Sequence, residues 1–209
     1  MSYPTLRLHP RKEESVLRFH PWIFSGAIAS FSAPVEDGDL VSVVDSKGRP
    51  LGTGHFGGGS IAVRLLSFDA EEVIDRAFYK RRLEAALRLR LSCDLVRPVG
   101  SSDSPNTTYR LVHGEGDSLP GLIIDIYDRT AVVQAHSLGM HQARQTIAEV
   151  LWEVFAEAGD PVLPLEGIYY KSETTLPTRD MRELASDGFL IGHTEAAPIY
   201  ENGVRFTPD

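Results

Sequence analysis

The sequence has few cysteines, no long apolar run and a shortage of positive charge, and each shortage excludes a class of protein. The single Cys93 among 209 residues excludes an internal disulfide and is typical of a reducing cytosol. No apolar run approaches the roughly 20 residues that a membrane span needs, and the first residues do not resemble an export signal. The net charge of −8 argues against a protein that coats nucleic acid non-specifically. We therefore expect a cytoplasmic protein with no membrane partner.

The charge is distributed unevenly along the chain. Residues 1–100 carry 14 Lys/Arg and 12 Asp/Glu, whereas residues 101–209 carry 7 Lys/Arg and 17 Asp/Glu. Such asymmetry predicts two modules with different neighbours. If either half contacts RNA, the composition favours the first.

Short strands predominate before residue 70. Segments rich in β-branched and aromatic residues predict strands over Leu40–Val44, Leu51–Phe56 and Ile61–Phe68. A short helix is predicted over Arg11–Phe19, between two prolines that favour its start and its end. This pattern predicts a small β-rich domain with a closed or half-closed barrel.

A longer helix is predicted from Ala70 to Leu91. Asp69 is a suitable N-cap, and two acidic residues follow in the first turn. Apolar residues form two stripes along this helix, so we expect it to lie between two modules. The stretch 97–108 that follows is rich in proline, glycine, serine and asparagine and predicts a linker or long loop.

The second half alternates strands with one helix. Leu122–Tyr127 and Thr130–His136 are predicted to form an antiparallel hairpin. An amphipathic helix follows over Ala143–Ala158, and later strands are predicted at Gly167–Lys171 and Phe189–Gly192. The chain as a whole is therefore expected to be α+β.

The last segment carries a strong hairpin signal. Asn202-Gly203 lies between the apolar segments Ile199–Glu201 and Val204–Phe206. Because the sequence stops three residues later, the prediction is that nothing folds over this hairpin.

Two motifs invite a functional interpretation that their context does not favour. Gly52-Thr-Gly-His-Phe-Gly57 matches a dinucleotide-binding pattern, but a strand rather than a helix follows it, which favours a glycine-rich β-loop. Cys93 has the carboxylate of Asp94 beside it rather than a cation that would favour a reactive thiolate, so a buried or half-buried structural cysteine is expected. The histidines have no metal-site spacing. No catalytic, cofactor-binding or metal-ligating residue is predicted.

Glu115 and Asp117 lie two residues apart in a loop with three glycines. They could act as an acid–base pair or as cation ligands, which leaves a metal-dependent hydrolase open as an alternative function. The interpretation that the sequence favours is that both carboxylates accept backbone N–H groups in a tight loop.

Basic and aromatic residues are interleaved near the N-terminus, a pattern that suits phosphate contact together with base stacking. A solvated helix face and a core tryptophan would explain the same residues, so both interpretations stay open. The candidate RNA-binding residues are Arg11, Lys12, Arg18, His20 and Trp22.

Three segments resemble one known family, the large-subunit (23S) rRNA cytosine-C5 methyltransferases. Arg18-Phe-His-Pro-Trp-Ile-Phe-Ser-Gly-Ala27 resembles the opening of the family's PUA domain, and Glu201-Asn-Gly-Val-Arg-Phe206 is similar to its hairpin. Residues 109–125, here named the signature segment, resemble R-L-x-x-x-E-x-D-x-L-P-G-L-x-x-D. The matching residues are Arg110, Glu115, Asp117, Leu119, Pro120, Gly121 and Asp125. Lys171-Ser-Glu173 departs from the usual R-S-D.

The resemblance implies an order of domains. A PUA-like RNA-binding β-barrel is expected over residues 1–70, a connecting helix over 71–100 and a linker over 101–108. A strand-strand-helix-strand-strand domain is expected over 109–197, followed over 198–209 by the start of a hairpin that leads to a Rossmann-like methyltransferase domain.

The family's S-adenosylmethionine loop and catalytic proline-cysteine motif are missing from this chain. The expectation is therefore a truncated chain that is not an enzyme and holds no cofactor, from a parent that is an S-adenosylmethionine-dependent rRNA methyltransferase. Its expected work is to bind RNA and to position the missing C-terminal methyltransferase domain. Ribosomal RNA and that domain are the implied partners, and a homodimer is left open. The alternative is a free-standing PUA-type RNA-binding or regulatory module.

Overall fold

The computed structural model describes residues 3–101, 103–176 and 186–207. Residues 1–2, 102, 177–185 and 208–209 belong to the predicted domains and linker but lie outside the described residues. The described helices are all too short or too polar to cross a membrane.

The first half of the chain forms a curled, mixed sheet. Its strand order is β2-β6-β5-β4-β1-β3, with β1 parallel to β4 and the other neighbours antiparallel. Register shifts in four of these pairings are bulges, and bulges bend a sheet and increase its twist. The strands are β1 (Thr5–Leu8), β2 (Trp22–Phe24), β3 (Ile28–Phe31), β4 (Leu40–Val44), β5 (Pro50–Phe56) and β6 (Ile61–Ser67).

The helix near the N-terminus is shorter than predicted. Helix α1 covers only Glu14–Leu17, not Arg11–Phe19. Arg11 and Phe19 have φ values of 67° and 61°, in the left-handed region, and a right-handed helix cannot include such residues. The proline positions correctly placed a helix here but not its ends.

The long helix α2 (Arg76–Ser92) begins six residues later than predicted. Asp75, not Asp69, is the N-cap, because its carboxylate accepts the Phe78 N–H over 2.9 Å. The Asp69 side chain instead accepts the Glu71 N–H in a turn ahead of the helix. Both aspartates suit a cap, and only the later one is followed by continuous helical backbone.

The second half forms a five-stranded sheet with helices packed on one face. The strand order is β11-β10-β9-β8-β7, in which β9 and β10 are parallel and the other neighbours antiparallel. The strands are β7 (Thr108–His113), β8 (Leu122–Tyr127), β9 (Thr130–Ala135), β10 (Gly167–Tyr170) and β11 (Gly188–Gly192), and the helices are α3 (Leu138–Gln142) and α4 (Arg144–Ala158).

The α+β fold class is confirmed, and so is the β8–β9 hairpin. Helix α4 matches its predicted span to within one residue, because its buried apolar face is continuous. Strand β7 is an additional element, since no strand was predicted over Thr108–His113. It pairs with β8 at the edge of the sheet.

Two apolar cores meet at strand β6. Val63 and Leu65 belong to the core inside the first sheet, whereas Leu66 belongs to the larger core between the second sheet, α2 and α4. Successive side chains of a strand point to opposite faces, so one strand can serve both cores. The side of β6 that carries Arg64 and Leu66 therefore faces the second half of the molecule.

The terminal hairpin is formed as predicted, but it is not uncovered. Strands β12 (Ile199–Glu201) and β13 (Val204–Phe206) flank Asn202 and Gly203, whose φ values of 46° and 84° suit a two-residue turn. Thr107 N–H donates to the Tyr200 carbonyl and Gly203 N–H to the Pro105 carbonyl. The prediction that nothing folds over the hairpin is wrong, because the end of the predicted linker pairs with it.

Candidate nucleic-acid interface

Three of the predicted RNA-binding residues are exposed cations. Arg11, Lys12 and Arg18 lie around α1 and are solvent-exposed. Within residues 3–101, 103–176 and 186–207, none of their side chains forms a hydrogen bond or an ion pair. Their charges are therefore free to meet a polyanion.

Exposed aromatic side chains accompany these cations. Phe19 is 74% exposed and Phe24 is 52% exposed, although both are large apolar groups. Phe19 contacts Phe68 edge to face with a centroid distance of 5.3 Å. The sequence argument missed both phenylalanines as surface residues, because an aromatic next to a β-strand usually predicts a core position.

Trp22 is half-buried and is held from two sides. Its backbone N–H donates to His20 Nδ1 over 3.1 Å, and the two rings meet edge to face at 5.7 Å. Its indole Nε1 donates to Glu115 Oε1 over 2.7 Å, although 93 positions separate the two residues. Trp22 thus belongs neither to a closed core nor to a free surface, and it ties the first sheet to the signature segment.

Asp117 points the opposite way, toward helix α2. Its two carboxylate oxygens accept hydrogen bonds from Arg90 Nη1 and Nη2 over 2.5 and 2.7 Å. Asp117 Oδ2 also accepts the His113 N–H over 2.6 Å. The side chains of Arg90 and Asp117 are only 10% and 5% exposed, so this is a buried, bidentate ion pair.

The two carboxylates therefore have structural partners. The interpretation that both accept backbone N–H groups is correct for Asp117, whereas Glu115 accepts an indole N–H instead. The described residues contain no group of three or more His, Cys, Asp or Glu side chains that could hold a metal ion. The geometry gives the hydrolase alternative no support.

The other signature residues shape the same loop. Arg110 donates to both oxygens of Asp125 over 2.8 and 3.1 Å, across the β7–β8 pair. Leu119 and Pro120 are buried. Gly121 has a φ of 85°, and a Cβ there would lie 2.9 Å from Ser137 Oγ and 3.5 Å from Arg64 Cδ. Glycine at this position lets the Arg64 stem pass over the loop.

Arg64 and His136 were not predicted as site residues, and both meet the signature segment. Arg64 lies directly opposite Trp22 in the β6–β2 pair, and His136 N–H donates to the Gly121 carbonyl. Burial lowers the pKa of Arg64 and of His136, and Glu115 acts against that shift in both. We name Trp22, Arg64, Glu115, Gly121 and His136 the seam. A lone charge within the apolar strand Ile61–Ser67 was the sequence signal that could have identified Arg64.

The glycine-rich motif does not fit a nucleotide cofactor. Gly52 and Gly54 lie inside β5, where an added Cβ would collide with the carbonyl oxygens of Ser67 and Arg64 in β6. These glycines allow two strands to approach closely. The prediction for Cys93 is wrong, because it is exposed at the C-terminal cap of α2.

A cleft of about 600 Å³ lies on the other face of the second sheet. Tyr169, Phe189 and His193 stack edge to face along it. Acidic residues also line it, namely Asp125, Asp128, Glu166 and Glu195. Arg129 and Lys171 line it as well, so the four carboxylates outnumber the cations. Because this net negative charge disfavours a polyanion, the nucleic-acid interface is better placed on the first sheet.

Comparison with known proteins identifies the first sheet. Residues 6–68 match the PUA-like domain family. This segment is a PUA-like domain. It includes strands β2 and β6 and thus carries Trp22 and Arg64.

Similarity to curated proteins extends along nearly the whole chain. The chain is 33% identical to ribosomal RNA large subunit methyltransferase I from Klebsiella pneumoniae, over 99% of the chain and 48% of that protein. It is 37% identical to the protein of the same name from Shewanella amazonensis, over 98% of the chain and 48% of that protein. The chain thus spans about half the length of the curated relatives it matches.

A solved structure shares the fold. The chain matches a putative S-adenosylmethionine-dependent methyltransferase from Streptococcus mutans with a TM-score of 0.74 and 18% identity. The match covers 99% of the chain and 48% of that protein. Nearly the whole chain is thus similar to about half of proteins named ribosomal RNA large subunit methyltransferase I.

These findings correct one prediction. The sequence led us to expect that this chain is not an enzyme, whereas the proteins that align with 98–99% of it are methyltransferases.

Proposed function

We propose that this protein acts in the methylation of large-subunit ribosomal RNA. Its PUA-like domain binds the RNA. Its second domain holds the bound RNA in a fixed orientation relative to the rest of the protein. The observation that carries the proposal is the similarity of almost the whole chain to proteins named ribosomal RNA large subunit methyltransferase I.

The RNA-docking role is supported by the surface of the PUA-like domain. Unpaired cations and exposed aromatic rings lie together around α1 and β2. Cations neutralise phosphates, and aromatic rings stack on unpaired bases, which is how single-stranded RNA is commonly bound. The free-standing alternative has no such support, since the similarity continues far beyond residue 68.

The positioning role is supported by the signature segment. Glu115 holds Trp22 of the PUA-like domain, while Asp117 holds Arg90 of α2. One short 3₁₀ turn (Gly114–Asp117) thus fixes the PUA-like domain, α2 and the second sheet to one another. RNA bound at Trp22 would be held at a set orientation to the rest of the protein.

The proposal also includes the identity of the methyl donor and of the atom that is methylated. The resemblance implies S-adenosylmethionine as donor and C5 of a cytosine as acceptor. When bound, S-adenosylmethionine supplies an activated methyl group. Analysis of labelled rRNA for 5-methylcytidine checks the acceptor, and label at another atom or base would contradict it.

Filter binding of a large-subunit rRNA fragment at several salt concentrations tests the docking role. The variant Arg11→Glu/Lys12→Glu should bind at least about tenfold more weakly, and the slope of log affinity against log salt should fall by about 1.4 for two lost phosphate contacts.

The matched control, Arg88→Glu/Arg205→Glu, makes the same change of charge on α2 and on the terminal hairpin, outside the PUA-like domain. Equal losses in the two variants would show only a general charge effect. Wild-type protein that fails to bind the fragment would overturn the proposed function.

A further inference from the structure

The seam places a cation beside an aromatic ring. Arg64 and Trp22 are direct partners in neighbouring antiparallel strands. Side chains at such positions project from the same face with Cβ atoms about 5 Å apart. A guanidinium therefore lies beside an indole on the face of β2 and β6 that meets the second domain.

The guanidinium of Arg64 forms no direct contact with a carboxylate in the part of the chain that the structure describes, and Glu115 acts on it only at longer range. It is half-buried, yet it forms no hydrogen bond and no ion pair there. Other partly buried arginines are satisfied: Arg90 by Asp117 and Arg97 by the Ser104 carbonyl. A half-buried charge without a partner is costly, so Arg64 is suited to an anion from outside the protein.

A second unsatisfied nitrogen lies on the other side of the seam. His136 Nε2 is buried and has no hydrogen-bond partner among the described residues. The His136 N–H donates to the Gly121 carbonyl over 2.8 Å, and a Cβ on Gly121 would lie 3.5 Å from Arg64 Cδ, so His136 and Arg64 meet at the same loop. The seam thus offers two nitrogens without partners from two different domains.

Glu115 orients the indole of Trp22 and does not neutralise Arg64 by direct contact. Its Oε1 accepts the Trp22 indole N–H, and it forms no ion pair within 4 Å of Arg64 in the described chain. With His20 behind it, the indole is held in one orientation before any ligand arrives. A fixed aromatic platform loses little entropy when a base stacks on it.

We propose that the seam binds one nucleotide of single-stranded RNA, with the base stacked on Trp22 and the phosphate bound by Arg64. His136 donates to the same nucleotide from the second domain, and Glu115 orients the indole. This inference rests on the proposed function, because it assigns that function a specific contact. It places one RNA contact between the two domains instead of on the outer surface around α1.

Trp22 itself can report binding. Trp152 is the other tryptophan in the chain, so a Trp152→Phe background leaves Trp22 as the fluorescent residue. In this background, a titration with a short single-stranded oligouridylate should quench the fluorescence. Quenching that saturates would give the dissociation constant.

Arg64→Gln should weaken binding about tenfold and lower the salt slope by about 0.7, the value for one single-strand phosphate. Arg64→Lys should keep the salt slope. The control is Arg88→Gln, an exposed arginine whose nearest carboxylate oxygen, on Glu84, lies 3.9 Å away. It should change binding no more than about twofold, as expected for a distant, screened charge.

A second variant, Glu115→Gln, is expected to strengthen RNA binding rather than weaken it. Glu115→Gln keeps an oxygen that can accept the indole N–H and removes the negative charge that faces the phosphate. It should tighten binding about threefold or more, because like charges at short range repel. Glu115→Gln is not expected to weaken the fold. It therefore still tests RNA binding at the seam if the Arg64→Gln protein does not fold.

The outcomes separate the two proposals. Wild-type protein that binds neither the rRNA fragment nor the oligonucleotide contradicts the proposed function. Wild-type protein that binds RNA, with Arg64→Gln equal to Arg88→Gln or Glu115→Gln no tighter than wild type, overturns the seam site alone.

Discussion

The PUA-like domain and the second domain use their charged residues differently. In the described parts of the PUA-like domain, Arg11, Lys12, Arg18 and Arg64 have no ion pair. Where α2 packs on the second domain, by contrast, the cations of α2 meet carboxylates of that domain: Arg76 with Glu149 and Glu153, Lys80 with Glu157, and Arg90 with Asp117. The acidic surplus after residue 100 therefore serves partly to bind the cations of α2.

This difference shows that net charge is a poor guide to nucleic-acid binding. The whole chain carries −8, yet its unpaired cations are concentrated on one domain. A polyanion responds to the local, unpaired charge within about 10 Å rather than to the sum. The following predictions test whether paired cations stabilise the fold while unpaired cations leave it unchanged.

The largest effect is expected at the buried ion pair. Asp117→Ala leaves Arg90 buried without its partner and should lower the free energy of unfolding by about 3 kcal/mol or more. Urea denaturation measures this loss. The double variant Arg90→Met/Asp117→Leu should recover most of it, because no charge is then left buried.

Asp125→Ala is the matched control for that measurement. Its partner Arg110 is 47% exposed, so water can replace the lost contact and the expected loss is below about 1 kcal/mol. A loss of similar size in both variants would contradict the role given to burial.

The next effect concerns pH at the contact between the two domains. His55 on β5 packs against Gly139 on α3 and has no partner for Nδ1 among the described residues. Burial first, and the charge of Arg64 second, lower the pKa of His55 to about 4. Because an unfolded histidine has a pKa near 6.5, the unfolded chain binds the proton more readily than the folded protein does.

Stability from His55 is therefore fully present above about pH 6.5 and is lost as the pH falls toward 4. The loss should reach about 3 kcal/mol, from 1.36 kcal/mol for each unit of pKa. Thermal unfolding across this range measures it. His55→Phe should remove this pH-dependent loss of stability, whereas His9→Gln, at an exposed histidine, should leave it unchanged. A wild-type stability that does not change between pH 6.5 and pH 4 would contradict the assignment to His55.

The smallest effect is expected on the surface of the helices. Arg76 contacts Glu149 at 3.2 Å and Glu153 at 2.5 Å, and all three side chains are nearly half exposed. Arg76→Ala should lower stability by less than about 1 kcal/mol, and 1 M salt should reduce the difference. Arg18→Ala, which removes an unpaired cation, should stay within about 0.5 kcal/mol of wild type.

Local signals in the sequence identified much of the fold. Strand β4 has its predicted bounds because it is a short run rich in β-branched residues between Asp39 and Asp45, and Asn202-Gly203 forms the predicted turn because both residues adopt positive φ readily. The start of α2 was wrong because two aspartates, Asp69 and Asp75, suit a cap, and only backbone geometry distinguishes them.

The candidate site was predictable only in part. Trp22 and the signature segment were identified separately, but the hydrogen bond between Trp22 and Glu115 joins residues 93 positions apart. Nothing in local periodicity indicates which distant residues meet. For the same reason Arg64 read as an ordinary strand residue, since its lack of a partner is a property of the folded chain.

The hydrogen bonds of the terminal hairpin also have a consequence for the order of folding. Asn202 N–H donates to Asn106 Oδ1 and Tyr200 N–H to Thr107 Oγ1, across 96 and 93 positions. Closing so long a loop is entropically costly until the sheet between these residues has formed. The hairpin should therefore dock last, and in pulsed hydrogen exchange its amides should gain protection after those of β8 and β9.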